Sequence, residues 1–110
     1  MPKAYEIEWT ETARNDLNEL VDYIALDSID NAMRINDTLI SKVDSLKYFP
    51  NRGRIVPELR KFGIANYREV IITSYRIFFR IENNLKVIIL GILDGRRDLV
   101  QILFQRVLTS

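Results

Sequence analysis

The 110-residue chain contains neither cysteine nor histidine. Without cysteine there is no disulfide framework and no thiolate metal site, and a reducing compartment, the cytoplasm, is the expected location. Without histidine the chain lacks the usual general base near neutral pH and the commonest metal ligand. That argues against a catalytic triad or a zinc centre; no metal or cofactor is expected, and any chemistry falls to Arg, Lys, Tyr or carboxylates. No apolar run approaches the roughly 20 residues that span a bilayer, and the N-terminal MPKAYEIEWTE has charges where a signal peptide carries its apolar region. No repeat, linker or low-complexity segment interrupts the chain. What is present, 47% hydrophobic residues in 110, suffices for one core without staples, so residues 1–110 are read as a single domain.

The formal net charge of +1 hides an asymmetry. Residues 1–50 carry five Lys/Arg against ten Asp/Glu, a net of −5, while residues 51–110 carry eleven against five, a net of +6. Such a split marks either two complementary halves of one domain or a basic face that attracts nucleic acid or an acidic protein segment.

Along the chain, AYEIEW (4–9) alternates apolar and charged residues, which predicts a short strand with Tyr5, Ile7 and Trp9 on one face. Thr10 or Thr12 can cap a first helix lined by Ala13, Leu17, Leu20, Val21 and Ile24. Ser28 or Asp30 can cap a second, striped by Ala32, Ile35, Leu39, Val43 and Leu46 and ended by Pro50 and Gly53. Joined by a short link, they form an antiparallel hairpin. NRGRIVPELRKFGIAN (51–66) is a connection with one irregular strand around Ile55 to Leu59, because Pro57 suits an edge or a bulge. Three strong strands follow, 67–72, 75–82 and 85–93, separated by Thr73-Ser74 and Asn83-Asn84, and a third helix is expected over 97–108 with more apolar positions than one face needs. The fold class is α+β: an N-terminal strand, a two-helix antiparallel hairpin, an antiparallel β-meander and a C-terminal helix, with the helices mainly on one side of the sheet.

Arginine recurs inside YREVIITSYRIFFRIENNLKVIILGILDGRR (67–97), an otherwise apolar segment, where an uncompensated buried charge is costly. Two-residue turns at Thr73-Ser74 and Asn83-Asn84 set Arg68 opposite Phe79, Val70 opposite Ile77, and Ile77 opposite Leu90, an apolar face that takes the helices. Alternation then sends Tyr67, Glu69, Ile71, Arg76, Phe78, Arg80, Val87, Ile89 and Gly91 to the other face. There Arg76 and Arg80 are expected on a partly exposed floor, with Gly91 leaving Arg76 uncrowded, Glu69 diagonal to both arginines, and Tyr67 and Phe78 as stacking surfaces. One outward arginine needs no explanation beyond solubility. Several together, with Arg96 and Arg97 after the last strand and Arg54, Arg60 and Lys61 in the preceding connection, form a cluster with interleaved aromatics suited to a phosphate backbone or an acidic peptide. Arg54, Arg68, Arg76, Phe78, Arg80, Arg96 and Arg97 are the candidate binding residues.

The hairpin followed by GRIVPEL, YREVI, YRIFFRI and VIILGILDGRRDL resembles the ParE/RelE superfamily of type II toxin–antitoxin toxins over nearly the whole chain. The resemblance implies a small toxin of microbial-RNase-like α+β fold serving plasmid stabilisation. A cognate antitoxin neutralises such a toxin, with a toxin–antitoxin hetero-oligomer as the expected assembly. RelE-type members cleave mRNA on the ribosome, using sheet-face arginines and lysines with a Tyr or His for proton transfer; ParE-type members poison DNA gyrase. Carried over by position, Arg76 matches the strand arginine of the nucleases and Arg97 or Arg96 the one after the last strand, leaving Lys61 for the lysine-rich stretch and Tyr67 or Tyr75 for the proton. The segment Leu99-Val100-Gln101-Ile102-Leu103-Phe104 offers no titratable ring, and an arginine's pKa is too high for acid–base work. The expectation is therefore a ParE-like growth inhibitor acting on gyrase, with a RelE-type ribosome-dependent endoribonuclease or an inactive antitoxin-binding member as the alternatives.

Overall fold

The fold, a computed structural model, is described for residues 4–109. Strand β1 (Glu6–Trp9) leads into helix α1 (Glu11–Ala25), and a short link into α2 (Ile29–Ser45). Both helices start where a hydroxyl satisfies an otherwise orphaned amide: Thr10 Oγ1 accepts from Ala13 N–H at 3.1 Å and Ser28 Oγ from Asn31 N–H at 3.1 Å. A 3₁₀ turn at Pro50–Arg52 precedes the two-residue strand β2 (Arg54–Ile55) and the one-turn helix α3 (Pro57–Arg60). Strands β3 (Arg68–Ile72), β4 (Tyr75–Glu82) and β5 (Lys86–Asp94) form the meander, and α4 (Val100–Thr109) ends it. The irregular strand expected at 55–59 is thus a strand of two residues and a helix, because Pro57 takes the first helical turn, where its missing N–H costs nothing.

The sheet order is β1-β5-β4-β3-β2. Its pairs are antiparallel except β1, which runs parallel to β5 at the edge. The β3/β4 register is the one alternation predicts, with Arg68 opposite Phe79, Val70 opposite Ile77 and Ile72 opposite Tyr75. The β4/β5 register is not. Glu82 pairs with Lys86, so the turn has three residues, and Leu85 takes the left-handed conformation (φ 59°). A bulge between Phe78 and Phe79 adds a second shift: Phe79 pairs with Ile89 and Phe78 with Gly91, leaving Leu90 without a partner opposite it.

These two shifts reassign the faces of β5. Val87 and Ile89, expected beside the arginines, are buried with Ile77 and Phe79 against Ala13, Leu17, Leu39 and Val43 of the helical hairpin. Ile88 and Leu90 turn to the other face, which is not an open floor. Phe78, Tyr67, Ile88 and Leu90 pack there against Val56, Leu59, Leu99 and Leu103, forming a second core under α3 and α4. The surplus apolar residues of the C-terminal helix are explained by this second layer; Phe104 also meets Phe62 edge-on, ring centroids 4.9 Å apart. The helices therefore sandwich the sheet instead of covering one side of it. Among the described residues no helix is long and apolar enough to cross a membrane.

Candidate functional site

Strand alternation does send Arg76, Phe78 and Arg80 away from the α1/α2 hairpin, but the second core decides their environment. Arg76, expected to be partly exposed, is buried, because α3 brings Glu58 over it and β3 brings Glu69 beside it. Its Nη1 donates to Glu58 Oε2 at 2.6 Å and its Nη2 to Glu58 Oε1 at 2.7 Å, a two-pronged pair, while Nε donates to Glu69 Oε1 at 2.7 Å. The diagonal Glu69–Arg76 bond follows from the β3/β4 register. Glu69 is buried as well, and its other oxygen accepts from Arg54 Nε at 2.5 Å. A chain of alternating charge, Arg54–Glu69–Arg76–Glu58, thus runs through the lower edge of the second core, with the Arg76 guanidinium also 5.1 Å from the Phe78 ring centroid. The hydrogen bond from Arg76 holds the Glu58 carboxyl below its ordinary value, and Glu58 in turn raises the arginine.

Gly91 does not make room for Arg76, since the bulge places it opposite Phe78. Gly95 does: a Cβ there would lie 2.8 Å from Arg76 Cδ and 3.0 Å from Ser74 O. Gly95 N–H also donates to Ser74 O at 2.7 Å, closing the 94–97 loop over the β3–β4 turn. In that loop Asp94 accepts from Arg96 through Nε at 3.0 Å, Nη2 at 2.8 Å and the backbone N–H at 3.0 Å. These bonds pull the Asp94 carboxyl down to about 2. Arg97 is exposed and, among the described residues, has no ion-pair partner.

The other candidates fall into separate places. Arg68 lies on the hairpin side of the sheet and donates Nη1 to Gly53 O at 2.6 Å, so it holds the 3₁₀ turn and does not join the other arginines. Arg80 is part-buried and reaches Glu82 at 3.4 Å. Arg54, Arg60 and Lys61 are exposed, whereas Tyr67 is buried in the second core and Tyr75 packs on the first. Sequence reasoning missed Glu58 as the partner of Arg76. The available signal was arithmetic, since residues 51–110 hold only five carboxylates and an arginine beside a buried phenylalanine needs one of them.

Beside Arg96 and Arg97 a groove of about 550 Å³ opens between the 94–97 loop and α1, floored by Leu20, Ile24 and Ile92. Tyr23 lines it and is 76% exposed, and past it the hairpin tip leaves Leu26, Ile29 and Met33 in solvent. The charged rim of the groove is mixed, with Arg96, Arg97 and Asp94 on the loop side and Asp16 and Glu19 on α1, so it suits an amphipathic segment that sets a carboxylate on the Arg97 side. Among the described residues no three His, Cys, Asp or Glu gather as a metal site.

Comparison with known proteins gives a consistent picture. The family model of the ParE toxin of the type II toxin-antitoxin system, parDE, matches residues 7–99. The chain is similar to a chain of the toxin-antitoxin complex RelBE2 from Mycobacterium tuberculosis. That similarity has a TM-score of 0.63 and 25% identity, over 84% of this chain and 92% of that one. It shares the fold of a chain in the chromosomal ParDE system from P. aeruginosa, with a TM-score of 0.66 and 22% identity, over 81% and 94% of the two chains. No curated protein sequence matches.

Proposed function

Because the chain belongs to the ParE toxin family of type II toxin–antitoxin systems, we propose that it arrests growth by contact with a protein target, DNA gyrase, in the cytoplasm, and that a cognate antitoxin neutralises it. The observation that carries the choice of target is the state of Arg76. Cleavage of RNA needs a base for the 2′-hydroxyl, an acid for the leaving oxygen and cations at the phosphorus. Arg76 spends its three donor nitrogens on Glu58 and Glu69. To grip a phosphate it would have to leave Glu58 without its ion-pair partner and the fully buried Glu69 with Arg54 alone, a large penalty. Histidine is absent, and Tyr67 and Tyr75 belong to the two cores. A protein contact needs none of that machinery.

The antitoxin reading rests on the family and on the groove beside α1. An amphipathic antitoxin segment lays apolar side chains on Leu20, Tyr23 and Ile24 and turns a carboxylate toward Arg97, which has no ion pair among the described residues. The second reading, mRNA cleavage of RelE type by Arg76, Arg96 or Arg97 with Lys61 and Tyr67, draws on the likeness to the RelBE2 chain and on the exposure of Lys61 and Arg97.

Expression without antitoxin, followed by mapping of mRNA 5′ ends and a supercoiling assay with purified gyrase, separates the two. Lost supercoiling activity with intact mRNA is the expected result. Codon-phased cleavage with undisturbed supercoiling would reverse the assignment.

A further inference from the structure

At the end of the sheet where β4 turns into β5, the chain leaves large side chains in water. Tyr48 and Phe49, between α2 and the 3₁₀ turn, are each about half exposed (53% and 50%), and Leu85 stands in the adjacent turn. With Tyr5, Pro50 and Arg52 they line a hollow of about 420 Å³. This hollow and the groove beside α1 lie toward opposite ends of the nine-residue β5, roughly 25 Å apart at about 3.3 Å per residue.

The hollow is held rigid by the backbone. Tyr5 N–H donates to Lys47 O at 2.7 Å and Glu6 N–H to Leu85 O at 2.8 Å, tying the start of β1 to the end of α2 and to the β4–β5 turn. Arg68 clamps the 3₁₀ turn through Gly53 O at 2.6 Å. Leu85 adopts φ 59°, the left-handed conformation that the last residue of a three-residue hairpin turn takes. The turn sets an apolar side chain on the wall of the open hollow.

Arg52 completes the arrangement. Its guanidinium carbon lies 4.3 Å from the Phe49 ring centroid and, among the described residues, it has no carboxylate partner. Arg54, Arg76, Arg80, Arg96 and Arg106 each have one. An arginine stacked on a ring keeps its fork directed outward for a carboxylate, and rigid tyrosine, phenylalanine and arginine are the composition of an interface hot spot.

We propose that this hollow docks the toxin's protein target: an apolar or aromatic side chain of the target seats between Tyr48, Phe49 and Leu85, and a neighbouring carboxylate pairs with Arg52. The inference rests on the reading of the chain as a toxin with a protein target and adds the surface that meets it, distant from the antitoxin groove.

The test uses the full chain with Arg52→Glu and, separately, with Tyr48→Ser plus Phe49→Ser, all at exposed positions. Three quantities are measured: growth arrest on induction without antitoxin, affinity for the purified antitoxin encoded beside the toxin, and inhibition of purified gyrase. Both variants are expected to lose growth arrest and to need at least tenfold more protein for equal gyrase inhibition, with antitoxin affinity within about twofold and an unchanged Tm. Undiminished growth arrest in both variants overturns the proposal. So does an antitoxin affinity that falls tenfold, which would make the antitoxin the occupant, or a wild-type dimer that Arg52→Glu dissociates, which would make it a second copy. If the wild type arrests growth without touching gyrase, the gyrase reading fails while growth arrest still decides the role of the hollow. A wild-type chain that arrests nothing overturns both.

Discussion

Arg106 on α4 and Asp16 on α1 grip each other around the open edge of β5, joining the helices on the two faces of the sheet. Nη1 meets Oδ2 and Nη2 meets Oδ1, both at 2.8 Å. β1 pairs with β5 only as far as Ile89, where the Thr10 hydroxyl donates to Ile89 O at 2.8 Å. Beyond it the exposed ladder is satisfied by side chains: Arg106 Nη1 donates to Leu90 O at 3.0 Å, and Asp16 Oδ2 accepts from Ile92 N–H at 3.0 Å. An edge that invites another strand is thereby closed by an ion pair.

Gly91 is where that pair passes the strand. A Cβ there would lie 2.6 Å from Arg106 Nη1 and 3.1 Å from Asp16 Oδ2, so Gly91→Ala is expected to push the pair apart. Arg106→Ala leaves Asp16 with the Ile92 N–H but no cation and takes the donor from Leu90 O, a loss of about 2–3 kcal/mol for a mostly buried pair. Urea unfolding should show a fall in midpoint for both variants, smaller for Arg106→Lys, which keeps the charge but not the fork.

Arg76→Ala separates the sequence expectation from the structure. An outward arginine contributes little to stability, whereas removing the buried Arg76 leaves Glu58 without its ion-pair partner and the buried Glu69 with the exposed Arg54 alone. The expected loss is on the order of 3 kcal/mol, read in thermal denaturation as a fall in Tm of more than about 10 °C. A Tm within about 2 °C of wild type would contradict the buried network.

Acid should reveal the same carboxylates. Glu58 titrates below its ordinary 4.5 in the folded chain, and Asp94 at about 2 in place of 3.8. The unfolded chain therefore binds protons first as pH falls, so the stability these groups supply is complete above about pH 5 and drains away as pH drops through the folded values. Asp94 lies on the surface loop with the exposed Arg96, and its share is small. Glu58→Gln should lower stability at pH 7 and flatten its decline between about pH 5 and pH 3, measured by denaturant midpoints across that range.

Arg97→Glu tests the antitoxin groove. Arg97 is exposed and outside any internal ion pair among the described residues, so stability should change by less than about 0.5 kcal/mol. Antitoxin affinity should fall, and the loss should shrink as salt is raised from about 0.05 to 0.5 M, because a rim charge is screened over a few ångströms at high ionic strength. Calorimetric titration at two salt concentrations reads both effects.

Much of this protein was legible in the order of its residues. The period-two alternation of 68–82 set the β3/β4 register and the side taken by Arg76, and the 3.6-residue stripes of 13–24 and 32–46 located the helical hairpin. Both signals are local, since neighbours a few positions apart carry them. The candidate site was half legible: Glu69 beside Arg76 follows from register, while Glu58 comes from a helix whose docking no short-range pattern encodes.

Tertiary structure alone decided what the second face of the sheet became. A third turn residue at Leu85 moves β5 by one position and exchanges its faces, so Val87 and Ile89 joined the first core and Ile88 and Leu90 built the second; the extra residue at Leu90 exchanges them again and returns Ile92 to the first core. Sequence determined that arginine would lie opposite the hairpin. Only packing, by laying α3 and α4 over that face, determined that Arg76 would be buried between two carboxylates, because the cost of hiding a charge is set by which groups from distant segments arrive to meet it.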